Sequence, residues 1–468
     1  MVFNSLQFLV FFGIVTSAYF LLAHRFRWML LLAASCYFYM AFVPIYLVIL
    51  LVTIVIDYWA GIYLEKFEGQ AKKIFLAFSL LANIGVLAIF KYYGFIASNL
   101  FHVSQIFGHA VQLPSLSILL PIGLSFHTFQ AMSYTIEVYR GNQPAERNFV
   151  IYSLYVMFYP QLVAGPIERP QNLLHQFYER HTWDSHRVKA GLLQMLEGIF
   201  KKVVIADRLA ILVDSVYASV GTQSRGHLIL ASIFYSFQIY CDFSGYSDIA
   251  IGAARVMGFN LMDNFKAPYA AKSVPEFWRK WHISLSTWFK DYVYISLGGN
   301  RVSIPRWYLN IMVVFIISGL WHGASWNFVI WGFLHGLFQL IGFMINRKFP
   351  TLAADQTKSI VGVAFYRLLT FVLVNFAWVF FRLVHFSEIK QYFTQLYLDV
   401  PTIGGLRMQT NEIVFSCLLI LGLYLWDLKD LALRNLPSKY FFFLVPFLVF
   451  FIYFFGVFSL KQFIYFQF

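Results

Sequence analysis

The chain has 468 residues, 60% hydrophobic and 20% aromatic, with 54 phenylalanines and only 12% charged residues, about half the charged share of an ordinary soluble domain. A soluble globule of this size needs charge across its outer layer, so the composition excludes a standard soluble enzyme, a disordered chain and a secreted disulfide scaffold, and leaves a polytopic membrane protein. The formal net charge of +13 fits basic loops on the cytoplasmic side of a bilayer and attraction to anionic lipids; no dense basic run offers a nucleic-acid surface.

The opening Met1-Val-Phe-Asn-Ser5 carries no positive charge, and the apolar run behind it lacks a small-residue cleavage site. It is expected to stay as a first span. Apolar stretches that could enter the bilayer follow at 28–43, 45–63, 74–90, 117–138, 149–163, 191–217, 228–250, 311–321, 326–345, 362–382, 411–426 and 440–458. A full crossing takes about 20 such residues. Several stretches are shorter, and others bury polar groups at mid-depth. The expectation is an all-α bundle of about 10–12 tilted crossings with re-entrant or interfacial helices buried in protein.

His24-Arg-Phe-Arg27 follows the first span, and Lys66, Lys72 and Lys73 follow the third. Both loops are expected in the cytoplasm, with the N-terminus outside. The polar stretches 164–190 and 255–310 are too small to be separate catalytic domains, so one integral membrane domain over 1–468 is expected. Cys36, Cys241 and Cys417 lie far apart in apolar surroundings without a CxxC, and read as buried small hydrophobes.

Polar residues inside apolar runs carry the chemistry or hold helices together. Asp57, His127 and Arg382 read as packing, pairing or interface-anchoring groups. In Tyr240-Cys-Asp-Phe-Ser-Gly-Tyr-Ser-Asp248, two aspartates six apart cannot share one helix face. The segment reads as a network anchoring a helix break, with Asp242 or Asp248 available to orient a histidine. In Pro275-Glu-Phe-Trp-Arg-Lys-Trp-His-Ile-Ser-Leu-Ser286, continuing to Tyr294, Trp278, Trp281, Leu285 and Trp288 follow 3, 4, 3 spacing. They predict one amphipathic helix at the membrane interface, with His282 beside its apolar face and Arg279 and Ser286 within a turn.

Further on, Ile316-Ile-Ser-Gly-Leu-Trp-His-Gly-Ala-Ser-Trp-Asn327 places His322 within an apolar run, between Gly319 and Gly323. The glycines allow close backbone approach or a helix break. His335, thirteen residues on, points away on a continuous helix and reads as structural. Two histidines without a nucleophile elbow, HExxH or P-loop suggest acid–base work: a neutral imidazole can take the proton of a hydroxyl attacking an activated acyl group. No metal site is expected, because no short-spaced ligand pair accompanies His282 and His322.

Together these motifs resemble the membrane-bound O-acyltransferase family. They are Leu120-Pro-Ile-Gly-Leu-Ser-Phe-His-Thr-Phe-Gln130, Pro160-Gln-Leu-Val-Ala-Gly-Pro-Ile-Glu-Arg169, Lys202-Val-Val-Ile-Ala-Asp-Arg208, Asp242-Phe-Ser-Gly-Tyr-Ser-Asp248, Phe277-Trp-Arg-Lys-Trp-His-Ile-Ser-Leu-Ser286, Trp321-His-Gly323 and the tail Phe463-Ile-Tyr-Phe-Gln-Phe468. The likeness runs almost end to end, its core motifs lie in 240–336, and it is strongest to the bacterial branch that O-acetylates alginate or peptidoglycan.

The resemblance implies a helical bundle around a central tunnel in a bacterial inner membrane. It makes His322 the catalytic histidine and His282 the second active-site position. Asp242, Ser244, Trp321, Trp281 and Arg279 are then expected to bind substrate or support the site. His127 stands where the family more often has an aromatic residue. The implied donor is acetyl-CoA or another acyl thioester from the cytoplasm, with no permanently bound cofactor. The implied partners are an extracytoplasmic SGNH-type acetyltransferase, a polysaccharide acceptor and membrane lipid. Two alternatives stay open: D-alanyl transfer to teichoic acid, and a secondary transporter or channel lined by the same polar residues.

Overall fold

The computed structural model describes every residue except 117–120, 164, 353, 355, 358, 400–407, 430, 459–462 and 465–468. Leu120, Ala164 and the last four residues of the tail motif therefore lie outside the described residues. Every regular element among the described residues is helical. Among the described residues six helices are long and apolar enough to cross a bilayer: Tyr46–Lys66, Gly69–Ile106, Ile304–His322, Trp326–Lys348, Ile360–Arg382 and Thr410–Leu428. Leu6–Leu21 and Phe441–Phe455 are apolar but shorter. The polar-bearing helices Leu124–Arg140 and Arg225–Met257 are almost wholly buried within protein, as unpaired polar groups facing lipid would be costly.

The chain forms two compact units, Met1–Met195 with Ile249–Met262, and Leu196–Asp248 with Asp263–Phe468. In the first, buried polar side chains stitch the helices together. Asp57 on Tyr46–Lys66 accepts from Ser79 Oγ at 2.6 Å and from Asn83 Nδ2 at 2.9 and 3.0 Å on the following helix. One turn before it, Thr53 Oγ1 lies 2.6 Å from His127 Nε2 on Leu124–Arg140. Asp57 and His127 thus serve the pairing expected of them. In the stretch after residue 164, the buried Glu168 accepts from Asn172 Nδ2 at 2.5 Å and from the Met262 amide at 2.6 Å. That segment is packed into the body of the unit.

In the second unit the expected break at 240–248 is absent. Arg225–Met257 is one 33-residue helix, and the irregularity sits in its neighbour, the π-helical turn Phe200–Ala206. That turn carries two consecutive lysines. Lys201 Nζ lies 2.9 Å from Glu197 and 2.8 Å from Asp248, while Lys202 Nζ lies 2.8 Å from Asp207 and 2.6 Å from Asp242. Aspartates six apart on one helix are thereby each answered by an adjacent cation on another. The helices approach at Gly245, where a Cβ would stand 2.6 Å from the Gly198 carbonyl oxygen. Arg382 pairs with Asp214 at 3.1 Å. Cys241 is buried as expected, but Cys417 is exposed on the outer face of Thr410–Leu428, where an apolar environment outside the protein suits a thiol equally well.

Ile304–His322 and Trp326–Lys348 pack backbone against backbone. A Cβ on Gly319 would run into the Phe328 carbonyl oxygen, and one on Gly332 into that of Phe315. Small residues permit such approach, and close van der Waals packing is the main force between helices in lipid. The chain reverses through Gly323, against which the Phe328 ring is pressed. Ser325 then caps the second helix by accepting from the Asn327 amide at 3.3 Å. Gly319→Val should therefore lower the thermal unfolding midpoint in detergent or abolish a monodisperse protein. Gly342→Val, on the same helix pair with open space around its Cα, should leave both unchanged; equal behaviour of the two variants would contradict this packing.

Candidate active site

Every candidate residue named from the sequence falls in the second unit. The Val274–Lys280 helix starts where the Ser273 side chain accepts from the Glu276 amide at 3.3 Å, with Pro275 in the first turn, a favourable beginning. The single amphipathic helix expected here does not form. The helix stops at Trp281, His282 takes a left-handed backbone with φ 43° and ψ 57°, and a second helix runs Ile283–Phe289.

Asn264 explains the break. Its carbonyl accepts from the Ile283 amide at 2.9 Å, and its Oδ1 accepts from the Ser284 amide at 3.3 Å and from Ser284 Oγ at 2.9 Å. The first N–H groups of the second helix lack helical partners, and this loop supplies them. A left-handed backbone costs a non-glycine residue about 1–2 kcal/mol, so the packing around His282 over-determines it. Trp278, Trp281 and Trp288 are at most 8% exposed. The aromatic stripe packs against protein.

The break turns the His282 ring inward. It is fully buried, 4.6 Å from the Phe243 ring and 6.1 Å from Trp321. Burial lowers its proton affinity, which favours the neutral form of the imidazole. His322 is the last residue of Ile304–His322 and is also buried. Its ring meets Trp321 and Trp331 edge-on, each at 4.9 Å, and Phe381 at 5.3 Å. The two imidazoles therefore share one wall, the indole of Trp321.

The other candidates divide. Trp281 lies behind His282, stacked on Phe277 at 5.4 Å and 5.0 Å from Trp378. Asp242 does not orient a histidine: its partners among the described residues are Lys202 and the Ile464 amide, at 2.7 Å. The Ser244 hydroxyl is buried without a hydrogen-bond partner among the described residues. This turn reaches the site through the residue between them, Phe243, which touches His282. Arg279 is exposed and lines a separate cavity of about 250 Å³.

Phe243, Trp331 and Phe381 escaped the sequence reading, because one aromatic among so many in apolar runs carries no spacing signal. His335 Nδ1 accepts from Trp278 Nε1 at 3.2 Å, and the continuous helix from His322 on which its reading rested is interrupted between His322 and Trp326. Among the described residues no three His, Cys, Asp or Glu side chains converge as metal ligands.

Residues 16–381 match the family model described as MBOAT, the membrane-bound O-acyltransferase family. This chain belongs to that family. It is an O-acyltransferase built into a membrane, which sets aside the transporter alternative. It is 37% identical over 436 residues to a Pseudomonas aeruginosa protein named probable alginate O-acetylase AlgI, covering 90% of this chain and 82% of that one. It is 35% identical to the peptidoglycan O-acetyltransferase of Helicobacter pylori, covering 75% and 70%. It is 28% identical to the teichoic acid D-alanyltransferase of Streptococcus thermophilus, covering 52% and 61%.

The backbone at residue 282 yields a direct check. Asparagine tolerates the left-handed region and β-branched residues do not. His282→Asn should unfold at nearly the wild-type temperature, whereas His282→Val should lose stability by about 1 kcal/mol or more. Matching thermal midpoints for the two would show that residue 282 is not held in this conformation.

Proposed function

We propose that this O-acyltransferase is an O-acetyltransferase of a bacterial inner membrane, with His322 as general base. It takes an acetyl group from a cytoplasmic thioester, acetyl-CoA or a related donor, and delivers it to an extracytoplasmic polysaccharide such as alginate or peptidoglycan. The observation that carries the reading is the pair of buried imidazoles on one indole wall, in a chain so similar to alginate and peptidoglycan O-acetylating proteins. Similarity to the D-alanyltransferase is lower and covers less of the chain, so acetyl transfer is favoured.

In the proposed step the neutral His322 imidazole takes the proton of the acceptor hydroxyl as that oxygen attacks the thioester carbonyl. The tetrahedral intermediate collapses, the C–S bond breaks, and the leaving thiolate receives the proton from the imidazolium. An ester and a free thiol result. His282, across Trp321, orients donor or acceptor. The rings of Trp321, Trp331, Phe381 and Phe243 keep water from the thioester and so suppress hydrolysis. We also propose that an SGNH-type extracytoplasmic acetyltransferase completes delivery to the polymer.

A positioned base contributes about 10²–10⁴ in rate. His322→Ala should therefore insert and fold normally, yet lower acetylation of the cell's polymer at least about a hundredfold, measured as ester-linked acetate released by mild alkali. Undiminished acetylation by a folded His322→Ala protein would remove His322 from the chemistry.

A further inference from the structure

An apolar cavity of about 350 Å³ lies within the second unit, bounded by Thr410–Leu428, by Phe441–Phe455 and by the π-helical turn Phe200–Ala206. Its lining runs from Leu418 to Trp426 on the first helix, a rise of about 12 Å. On the second it runs from Leu444 to Phe451. The charged side chains in the lining, Glu197 and Lys201, pair with each other at 2.9 Å. Gly422 apart, the rest are aliphatic or aromatic. A Cβ on Gly422 would meet nothing within 4 Å, so that glycine leaves the cavity open. Water does not fill an apolar cavity, whereas apolar ligands do, and an empty one is costly. For a chain that spans a bilayer, the apolar material at hand is hydrocarbon.

Charge marks one end. The two helices are joined through 429–440, so Trp426, Leu433 and Leu444 stand at the loop end of the cavity. The loop carries Lys429, Arg434 and Lys439. Arg434 is occupied by Asp263 at 3.1 Å. Lys429 and Lys439 are exposed, and among the described residues neither has a carboxylate within ion-pairing distance. Two ammonium groups beside the mouth of an apolar cavity complement an amphiphile with an anionic head. The second helix also needs fastening. Its polar ties to the unit among the described residues lie at its far end, where Arg208 Nη2 donates to the Phe455 carbonyl at 2.7 Å and the Val457 amide donates to the Val203 carbonyl at 2.8 Å.

We propose that this cavity holds an acyl chain of an anionic phospholipid, with the phosphate at Lys429 and Lys439. The lipid fastens Phe441–Phe455 to the helices beside it. The chain supplies the packing that Gly422 omits, and the headgroup fixes the loop end, where the protein's own polar ties are few.

The experiment first identifies, by native mass spectrometry, the lipid retained by full-length protein purified in mild detergent. It then titrates lipid-depleted protein with phosphatidylglycerol or with phosphatidylcholine of the same chains, following the thermal unfolding midpoint. Wild type should retain an anionic phospholipid, and phosphatidylglycerol should raise its midpoint at concentrations at least about tenfold lower than phosphatidylcholine. The double variant Lys429→Gln/Lys439→Gln, changed only at exposed positions, should respond to the two lipids alike. Gly422→Phe, which fills the cavity from within, should retain no lipid and unfold at the same temperature with or without phosphatidylglycerol. Gly342→Phe, an aromatic ring added where a Cβ also has open space, should respond as wild type does. Equal responses of wild type to the two lipids would overturn the proposal, as would an unchanged phosphatidylglycerol response in both the lysine double variant and Gly422→Phe. Retention of a polyprenyl phosphate or of another polypeptide in place of a phospholipid would overturn it as well.

Discussion

The contact on which the candidate site depends is the backbone approach of two helices at Gly319 and Gly332. No side chain separates them there, so the Phe328 and Phe315 carbonyls sit where any Cβ would be. In lipid there is no hydrophobic drive to bring helices together, and such contact must come from shape. Because the helices meet so closely, the chain has to reverse at once. It does so at Gly323, immediately after His322. The histidine therefore ends a helix held rigidly by its neighbour, with its ring set among Trp321, Trp331 and Phe381.

A second constraint fixes the partner imidazole. His282 owes its place to a strained backbone, and the strain is held by Asn264, which occupies the amides that a continuous helix would have used. On the opposite side, Phe243 is presented by a helix whose flanking Asp242 is ion-paired to Lys202. Buried pairs of this kind add little net stability, since desolvation offsets the Coulombic gain. Their effect here is register: Lys201 and Lys202 answer Asp248 and Asp242 separately, which sets the rotation of Arg225–Met257 and so the ring that meets His282. Packing supplies the walls, and charge pairing sets which residues face inward.

Much of this was legible before the fold was known, for identifiable reasons. A histidine inside an apolar run, as at His322, is expensive enough to stand out, and the glycines beside it left open a close approach or a helix break, of which the structure has the first at Gly319 and the second at Gly323. Asp57 and His127 declared their pairing role in the same way. The break at His282 was not legible, because 3, 4, 3 spacing reads the same for one helix or two, and the group that decides is Asn264, eighteen residues earlier. The network around Asp242 was legible as a network but not as to its partners. A lysine pair some forty residues away is a tertiary fact. Phe243, Trp331 and Phe381 were hidden by a composition in which aromatic residues are ordinary.

The central claim is that a buried imidazole in a water-poor aromatic enclosure passes an acyl group between the two faces of a membrane. The most direct measurement reconstitutes the protein in sealed vesicles in one orientation, with labelled acetyl thioester on the cytoplasmic side and the polysaccharide with its SGNH-type partner on the other. The account predicts labelled ester on the far side, matched by free thiol on the near side, and neither in vesicles carrying the His322→Ala protein. Labelled ester formed equally well with the alanine variant, or only when donor and acceptor share one side, would contradict it.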